Sequence, residues 1–458
     1  MRFRSSPSSS VLSPPTENND DESVLYDVVV IGGGVVGLAV ARAATLQGYR
    51  TVVLEREAHL LSWASGSNSG IVCTGVDATP GTLERALIRD AVAQLQPYLQ
   101  ATNIPHDVCG SLVCDWPWDD NDDTDRLLTG VLQESHDAGD TQAQILDSSH
   151  KVLQKEPHLN DAVRGAVHIP GEIVVDPWLY SISLAVQARA NGCQIYTDAP
   201  VEQDKMEQCG QLWVVPVTPK NATSFRIRAR SVACATGVWA ADWEQNVRTD
   251  QGDTDKLEAA PRRGQYRIYR ATPYLSLRHP IQPIPTQFTK GTFVFASLYN
   301  QIIVGPTASD QESKTDRTID PAIASKLDQH AKSILPHLNV EQELIGEFVG
   351  IRPGTNQRDY QIRTHFSKQW VTIAGIRSTG LTASLGIGRH VTHILEQMLR
   401  EMGVAPQPLF ESNLPALPPL GNLIREFQHQ DDGCITIHGH VYKVTHPITY
   451  LGWKHYNL

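Results

Sequence analysis

No apolar run in this chain approaches the roughly 18 residues that a membrane-spanning helix requires. The seven cysteines, at 73, 109, 114, 193, 209, 234 and 434, include no Cys-x-x-Cys pair, which excludes zinc-ribbon and iron–sulfur frameworks of that spacing. Their odd number and scatter argue against a disulfide framework and point to a reducing compartment. A surplus of positive charge is also missing. The formal charge of -11 leaves nothing to offset repulsion from phosphates, so no nucleic-acid partner is expected. Arg226, Arg228 and Arg230 alternate along one predicted strand and read as a solvated face. The acidic stretch with Asp119, Asp120, Asp122 and Asp123 lacks the glycine and closing glutamate of an EF-hand and reads as a solvated loop. His438, His440 and His446 are expected at the surface, and no metal site is expected anywhere. Residues 1–23 are Ser/Pro-rich and then acidic, too polar to bury a core, and read as a disordered tail. Arg2 and Arg4 suggest an organelle presequence that Glu17, Asp20, Asp21 and Glu22 oppose, so the expected location is cytoplasmic or mitochondrial, soluble or peripheral. The sequon Asn221-Ala222-Thr223 carries no meaning without a signal peptide.

What is present is the composition of a globular protein, 41% hydrophobic and 19% charged, in a chain of 458 residues that calls for two domains. The most informative stretch runs from Tyr26 to Gly37. Val28 to Ile31 form an apolar run that predicts a buried parallel strand, and Gly32, Gly34 and Gly37 give the G-x-G-x-x-G spacing. Gly32 permits the tight turn, Gly34 leaves room for a pyrophosphate, and Gly37 lets helix and strand pack closely. A helix from Leu38 to Gln47 stops at Gly48, and a strand from Arg50 to Leu54 ends in Glu55, an acid placed to take ribose hydroxyls. This order of elements predicts a dinucleotide, without saying which.

Further along, Ser65 to Gly81 is rich in small and hydroxyl residues and suits a segment lying against a flat ligand. A helix is predicted from Leu83 to Leu99, a strand from Val108 to Asp115, and a helix from Arg126 to His136. Asp176-Pro177 starts a capped helix that runs to Gly192, followed by a strand from Gln194 to Thr197. Two more strands lead into Ser231 to Ala240, a second apolar strand ending in a glycine turn. Strands at Gln265 to Tyr269, Thr292 to Ser297 and Gln301 to Val304, with a hairpin tip at Tyr299-Asn300, change the pattern to an antiparallel sheet. Asp320-Pro321 starts its covering helix, with Ala324, Leu327, Ala331 and Ile334 inward. Trp370 to Ala374, the turn Gly375 to Thr382 and a helix from Ala383 to Glu401 make a third strand–turn–helix unit, whose helix start suits an anion. A Pro-rich linker then leads to a small hairpin at Cys434 to Val444.

With those pieces in order, the chain resembles the D-amino acid oxidase superfamily of FAD-dependent oxidoreductases over roughly residues 25–400, and within it the glycerol-3-phosphate and L-2-hydroxyglutarate dehydrogenase branch. The resemblance rests on the opening turn with Glu55, Asn68-Ser69-Gly70 with Gly75 and Asp77 to Leu83, Ala235 to Trp239, and Pro261 to Tyr266. Gly305-Pro306-Thr307, Gly350 to Pro353, Ala374 to Ile376 and Gly380-Leu381-Thr382 complete it. It implies an α/β fold: a discontinuous Rossmann-like FAD-binding domain at 24–105, 165–245 and 345–402, and an α+β antiparallel-sheet substrate domain at 106–164 and 246–344. Residues 403–458 are a C-terminal extension. FAD is the implied cofactor, held by Gly32, Gly34, Gly37, Glu55, Arg56, Ser65, Asn68, Ser69, Gly70, Ala235, Thr236, Gly237, Trp239, Gly375, Gly380, Leu381 and Thr382.

The implied reaction takes a hydride from a small anionic hydroxy compound, glycerol 3-phosphate or a 2-hydroxy acid, with oxygen, a quinone or a protein as electron acceptor. Arg352 stands where such proteins place an arginine for the substrate's carboxylate or phosphate; the competing reading is a structural arginine bonded to carbonyls. Arg377 is a second anion contact or one half of a salt bridge, and Ser378 and Tyr266 are candidate pocket donors. Cys73 occupies the place where close relatives carry a histidine, and thiol is the poorer base for an alcohol proton. That departure leaves three readings open: another residue serves as the base, the chain is an amino-acid or secondary-amine oxidase, or it is a flavoprotein of low activity.

Overall fold

The computed structural model describes residues 24–76, 78–119, 123–248, 256–272, 275–285, 291–407 and 412–456. The tail expected at 1–23, Asp77 of the resemblance, and Asp120 and Asp122 of the acidic stretch lie outside the described residues.

Leu25–Ile31 is the central strand of an eight-stranded sheet. Val28 and Val30 face one core, Val29 and Ile31 the other, which is why the run is apolar without alternation. It pairs in parallel with Thr51–Leu54 on one edge and Phe225–Cys234 on the other. Gln194–Tyr196 extends the first edge and Trp370–Ala374 the second, both parallel. Leu212–Val217 and Gln361–His365 add antiparallel strands at the margin. Helices Val35–Leu46, Leu83–Thr102, Pro177–Ala190 and Gly380–Glu401 pack together on one face. Small residues set how closely: a Cβ on Gly386 would lie 2.3 Å from the Leu87 carbonyl oxygen, and one on Gly388 2.6 Å from that of Ala39. The Asp176 cap is formed as expected, its carboxylate accepting the Leu179 N–H at 2.7 Å.

The second sheet has nine strands and is antiparallel except where Ile281–Pro283 runs parallel to Ser111–Asp115. Arg262–Arg270 pairs with Gln301–Gly305, and Pro321–Ile334 covers the sheet with the four expected side chains buried. Two strands join this sheet although, Leu344 apart, they fall within segments assigned from sequence to the first domain. Gly165–Ile169 pairs with Ser111–Asp115, and Leu344–Arg352 pairs with Arg262–Arg270. Their apolar runs suit either sheet, and pairing partners distant in sequence decide between them.

Beyond Glu401 the chain adds more than a hairpin. Helices Leu420–Gln428 and Pro447–Lys454 flank the strands Cys434–Ile437 and His440–Lys443. Leu423, Phe427, Ile435 and Trp453 are buried in the same core as the four packed helices. Among the described residues no helix is long and apolar enough to cross a membrane.

Candidate functional site

A cavity of about 370 Å³ opens at the carboxyl ends of Leu25–Ile31, Thr51–Leu54, Phe225–Cys234 and Trp370–Ala374. Three strand–turn–helix units meet there because parallel strands all turn at the same edge. Gly32, Gly34, Ala235, Thr236, Gly237, Gly375, Gly380 and Leu381 stand on its wall, together with Glu55, Arg56, Ser65, Asn68, Trp239, Arg377 and Ser378. The turns are tied to one another: Gly32 N–H donates to the Leu54 carbonyl and Ala235 N–H to that of Ile31, both at 2.9 Å.

The wall has the features an elongated, phosphate-bearing ligand needs. Helix Val35–Leu46 and helix Gly380–Glu401 both start without a cap from the side chain of their own N-cap residue. Ser65 Oγ accepts the Val35 N–H at 2.9 Å, fixing the loop against the first turn of that helix. The helix starts carry partial positive charge toward the cavity. Glu55 is buried, and its oxygens accept the Gly33 N–H at 2.6 Å and the Glu57 N–H at 2.9 Å. So the acid read as a ribose contact also braces the glycine turn. Burial pushes its carboxyl upward, against those two N–H donors. The Arg56 guanidinium lies 3.6 Å from the Trp239 ring centroid, within the range of a cation–π contact.

Seven residues read from sequence are not on the wall. Gly37 lies behind it, where a Cβ would come within 2.0 Å of the Gly32 carbonyl oxygen, in keeping with a packing role. Ser69 and Gly70 continue the turn behind Asn68, whose Oδ1 accepts the Gly70 N–H at 2.8 Å. Thr382 and Cys73 face each other, with the Cys73 N–H 3.3 Å from Thr382 Oγ1 and its Sγ 3.7 Å from the same atom. Arg352 donates to the Thr307 carbonyl at 2.8 Å and the Arg263 carbonyl at 3.3 Å, while its neighbours Ile351 and Pro353 are the wall residues. No carboxylate among the described residues pairs with its guanidinium, and burial lowers its pKa. Tyr266 is buried and stacked on Phe348 at 4.4 Å, its hydroxyl pushed up to about 12 by burial.

Sequence reading missed other parts. Trp63 packs edge-on to Trp239 at 4.9 Å, and Lys314 reaches the wall from the second sheet's loop, bonded to Asp242. Glu84 is buried in the first turn of its helix, accepts from the Thr379 hydroxyl and lies 3.8 Å from Arg377. The salt-bridge reading of Arg377 therefore has its partner, while its side chain still stands on the wall. Local sequence around Glu84 shows only an ordinary helix start; the pairing arises from a turn nearly three hundred positions away.

His446 corrects an expectation. It is fully buried rather than at the surface, because it starts the last helix while facing the cavity loop. Burial lowers its pKa to about 3, against roughly 6.5 for a histidine in an unfolded chain. The unfolded chain then takes up a proton that the fold excludes, so this contribution is complete above about pH 6.5 and is lost as pH falls toward 3. His168, lowered to about 4 by burial, acts in the same sense, and Asp176, raised by burial, in the opposite one. The melting temperature is accordingly expected to fall less between pH 7 and pH 5 in His446→Asn than in the wild type; parallel curves would show that His446 is not held neutral.

Comparison with known proteins accords with this geometry. The chain matches the DAO family, described as FAD dependent oxidoreductase, over residues 27–394. It is 26% identical over 373 residues to a glycerol 3-phosphate dehydrogenase of Caloramator mitchellensis, covering 81% of this chain and 74% of that one. To a glycerol 3-phosphate oxidase of Mycoplasma pneumoniae it is 28% identical over 377 residues, covering 81% and 94%. The dithionite-reduced L-alpha-glycerophosphate oxidase of Mycoplasma pneumoniae with FAD bound superimposes with a TM-score of 0.76 at 26% identity, covering 86% of this chain and 99% of that chain. This chain belongs to the DAO family of FAD dependent oxidoreductases and is an enzyme with FAD as its cofactor.

Proposed function

We propose that the enzyme oxidises a small anionic hydroxy compound, glycerol 3-phosphate or a 2-hydroxy acid, with the cavity residues named above holding FAD. When bound, FAD supplies the acceptor for the hydride. In this reading the helix starts at Val35 and Gly380 stabilise negative charge at two places along the cofactor, and Glu55 takes ribose hydroxyls with the lone pairs its backbone contacts leave open. The antiparallel sheet serves as the substrate domain and supplies Arg352 and Tyr266.

The observation that carries the choice of an anion is Arg352. Its fork is anchored by two carbonyls, leaves donors unused, and has no carboxylate partner among the described residues. A half-buried cation without a counter-charge is costly, and an anionic substrate removes that cost. Arg377, 3.8 Å from Glu84, is a positive group on the cavity wall itself. The test is specificity: kcat/KM for glycerol 3-phosphate or L-2-hydroxyglutarate should exceed that for uncharged glycerol by about a hundredfold or more, the scale of a charged hydrogen bond. Equal rates on the uncharged alcohol would remove the anion from the proposal.

Cys73 favours a second reading, a neutral amine substrate, which has no hydroxyl proton to lose. The two readings part on one substitution. If the substrate is an alcohol, Cys73→His should raise kcat on it by roughly ten- to a hundredfold, within the usual gain from a placed general base, and add a limb near pH 6.5 to the rate profile. No gain on any hydroxy anion, with amine oxidation intact, would favour the amine.

A further inference from the structure

The C-terminal segment 412–456 lies beyond the residues that match the family. Leu423, Phe427, Ile435 and Trp453 account for its attachment, and any apolar cap of the right shape would do as much. They do not account for His446. Burying an imidazole is unfavourable unless both nitrogens find partners, and here they do. Nδ1 lies 3.3 Å from the Ile448 N–H and accepts it, which puts the ring proton on Nε2. Nε2 then donates to the Asn68 carbonyl at 3.1 Å. The preceding residue acts on the same loop: the Thr445 hydroxyl lies 3.4 Å from the carbonyls of both Leu60 and Leu61. Two consecutive residues of the extension thus hold both ends of the turn that carries Ser65 and Asn68. Those two side chains are on the cavity wall, and Ser65 bonds to the first turn of helix Val35–Leu46.

We propose that His446 is a positioning residue for the cofactor, acting through the Asn68 carbonyl, so that the extension is part of the FAD-holding machinery. This rests on the reading that Ser65 and Asn68 contact FAD. Bonds to backbone carbonyls fix the path of the loop whatever side chains it carries. Losing the Nε2 donor leaves a carbonyl unsatisfied next to the cavity and lets the turn relax.

Two variants separate positioning from folding. His446→Asn keeps a side-chain acceptor for the Ile448 N–H, a good helix cap, but has no donor in reach of Asn68. His446→Gln extends an amide N–H to the place of Nε2 and restores that donor. Flavin is removed from each protein, the apoprotein is titrated with FAD by quenching of FAD fluorescence, and its melting temperature is recorded. The expected result is an FAD Kd raised about tenfold in His446→Asn, the scale of one buried hydrogen bond. The apoprotein should still melt cooperatively, lowered by no more than the one lost hydrogen bond explains, and in His446→Gln the FAD Kd should return to within about threefold of the wild type. Wild-type Kd in His446→Asn, or equal loosening in both variants, would overturn the inference while leaving FAD binding in place. A wild-type apoprotein that does not bind FAD would instead sink the cavity reading, and this inference with it. If His446→Asn does not fold, Thr445→Val carries the same test, with a roughly threefold rise in Kd expected and an unchanged Kd counting against the proposal.

Discussion

Gly37→Ala is expected to give protein that purifies without its yellow cofactor, with FAD affinity lowered by at least about a thousandfold. The added methyl is small, but its place is not free: it would lie 2.0 Å from the Gly32 carbonyl oxygen and 3.3 Å from a Val30 methyl. Neither neighbour can yield. Val30 sits in the strand at the centre of the eight-stranded sheet, and Gly32 has a φ of +112° with a hypothetical Cβ only 2.4 Å from the Ala235 carbonyl oxygen. The helix must therefore move away from the strand, and its N–H groups move with it. A shift of about 1 Å is enough to spoil several backbone hydrogen bonds to a phosphate group at once. Overpacking of this kind also costs about 1–3 kcal/mol in stability, so the variant should melt lower even as apoprotein. The check is the ratio of 450 nm to 280 nm absorbance after purification, with an FAD titration of the apoprotein; normal flavin content in Gly37→Ala would contradict the account of the turn.

Arg352→Met is expected to lower kcat/KM for the anionic substrate by about a hundred- to a thousandfold, the range seen when one partner of a desolvated charge pair is removed. FAD content should be unchanged. Methionine retains much of the aliphatic volume, so the loss reports the guanidinium and not a cavity. The two carbonyl contacts complicate the reading, because the same fork ties Arg263 and Thr307 into the sheet. Lysine resolves this. Arg352→Lys keeps the charge and gives up the fork, and should recover only part of the loss if planar recognition of phosphate or carboxylate matters. Inhibition by sulfate provides an independent readout: it should weaken in parallel with kcat/KM in Arg352→Met. A variant with normal kinetics and a lowered melting temperature would make Arg352 a structural residue.

The opening turn and the two later strand–turn–helix units were readable from sequence because each is a local pattern with one physical cause: a buried strand, a crowded turn and a helix start. Gly32, Gly34, Ala235, Gly237, Gly375 and Gly380 meet at one cavity for that reason. What was not readable depends on pairings distant along the chain. Leu344–Arg352 sits in the second sheet because Arg262–Arg270 is there to pair with it, and no local pattern says so. Lys314 reaches the cavity from a loop of the other sheet, and Glu84 meets Arg377 across two separate turns. His446 looked like a surface histidine because polar residues usually are; its burial follows from a carbonyl of the Asn68 loop that only the fold brings near. Cys73 was legible as a departure from pattern, and the structure adds its contact with Thr382 at the start of the closing helix.

The most direct test of the central claim is anaerobic mixing of the purified flavoprotein with glycerol 3-phosphate or L-2-hydroxyglutarate, followed at about 450 nm, where oxidised flavins absorb. Rapid bleaching by a hydroxy anion is expected, with no bleaching by glycerol and bleaching slowed by about two orders of magnitude or more in Arg352→Met. Bleaching by glycine, sarcosine or a D-amino acid, with neither hydroxy anion active, would contradict it.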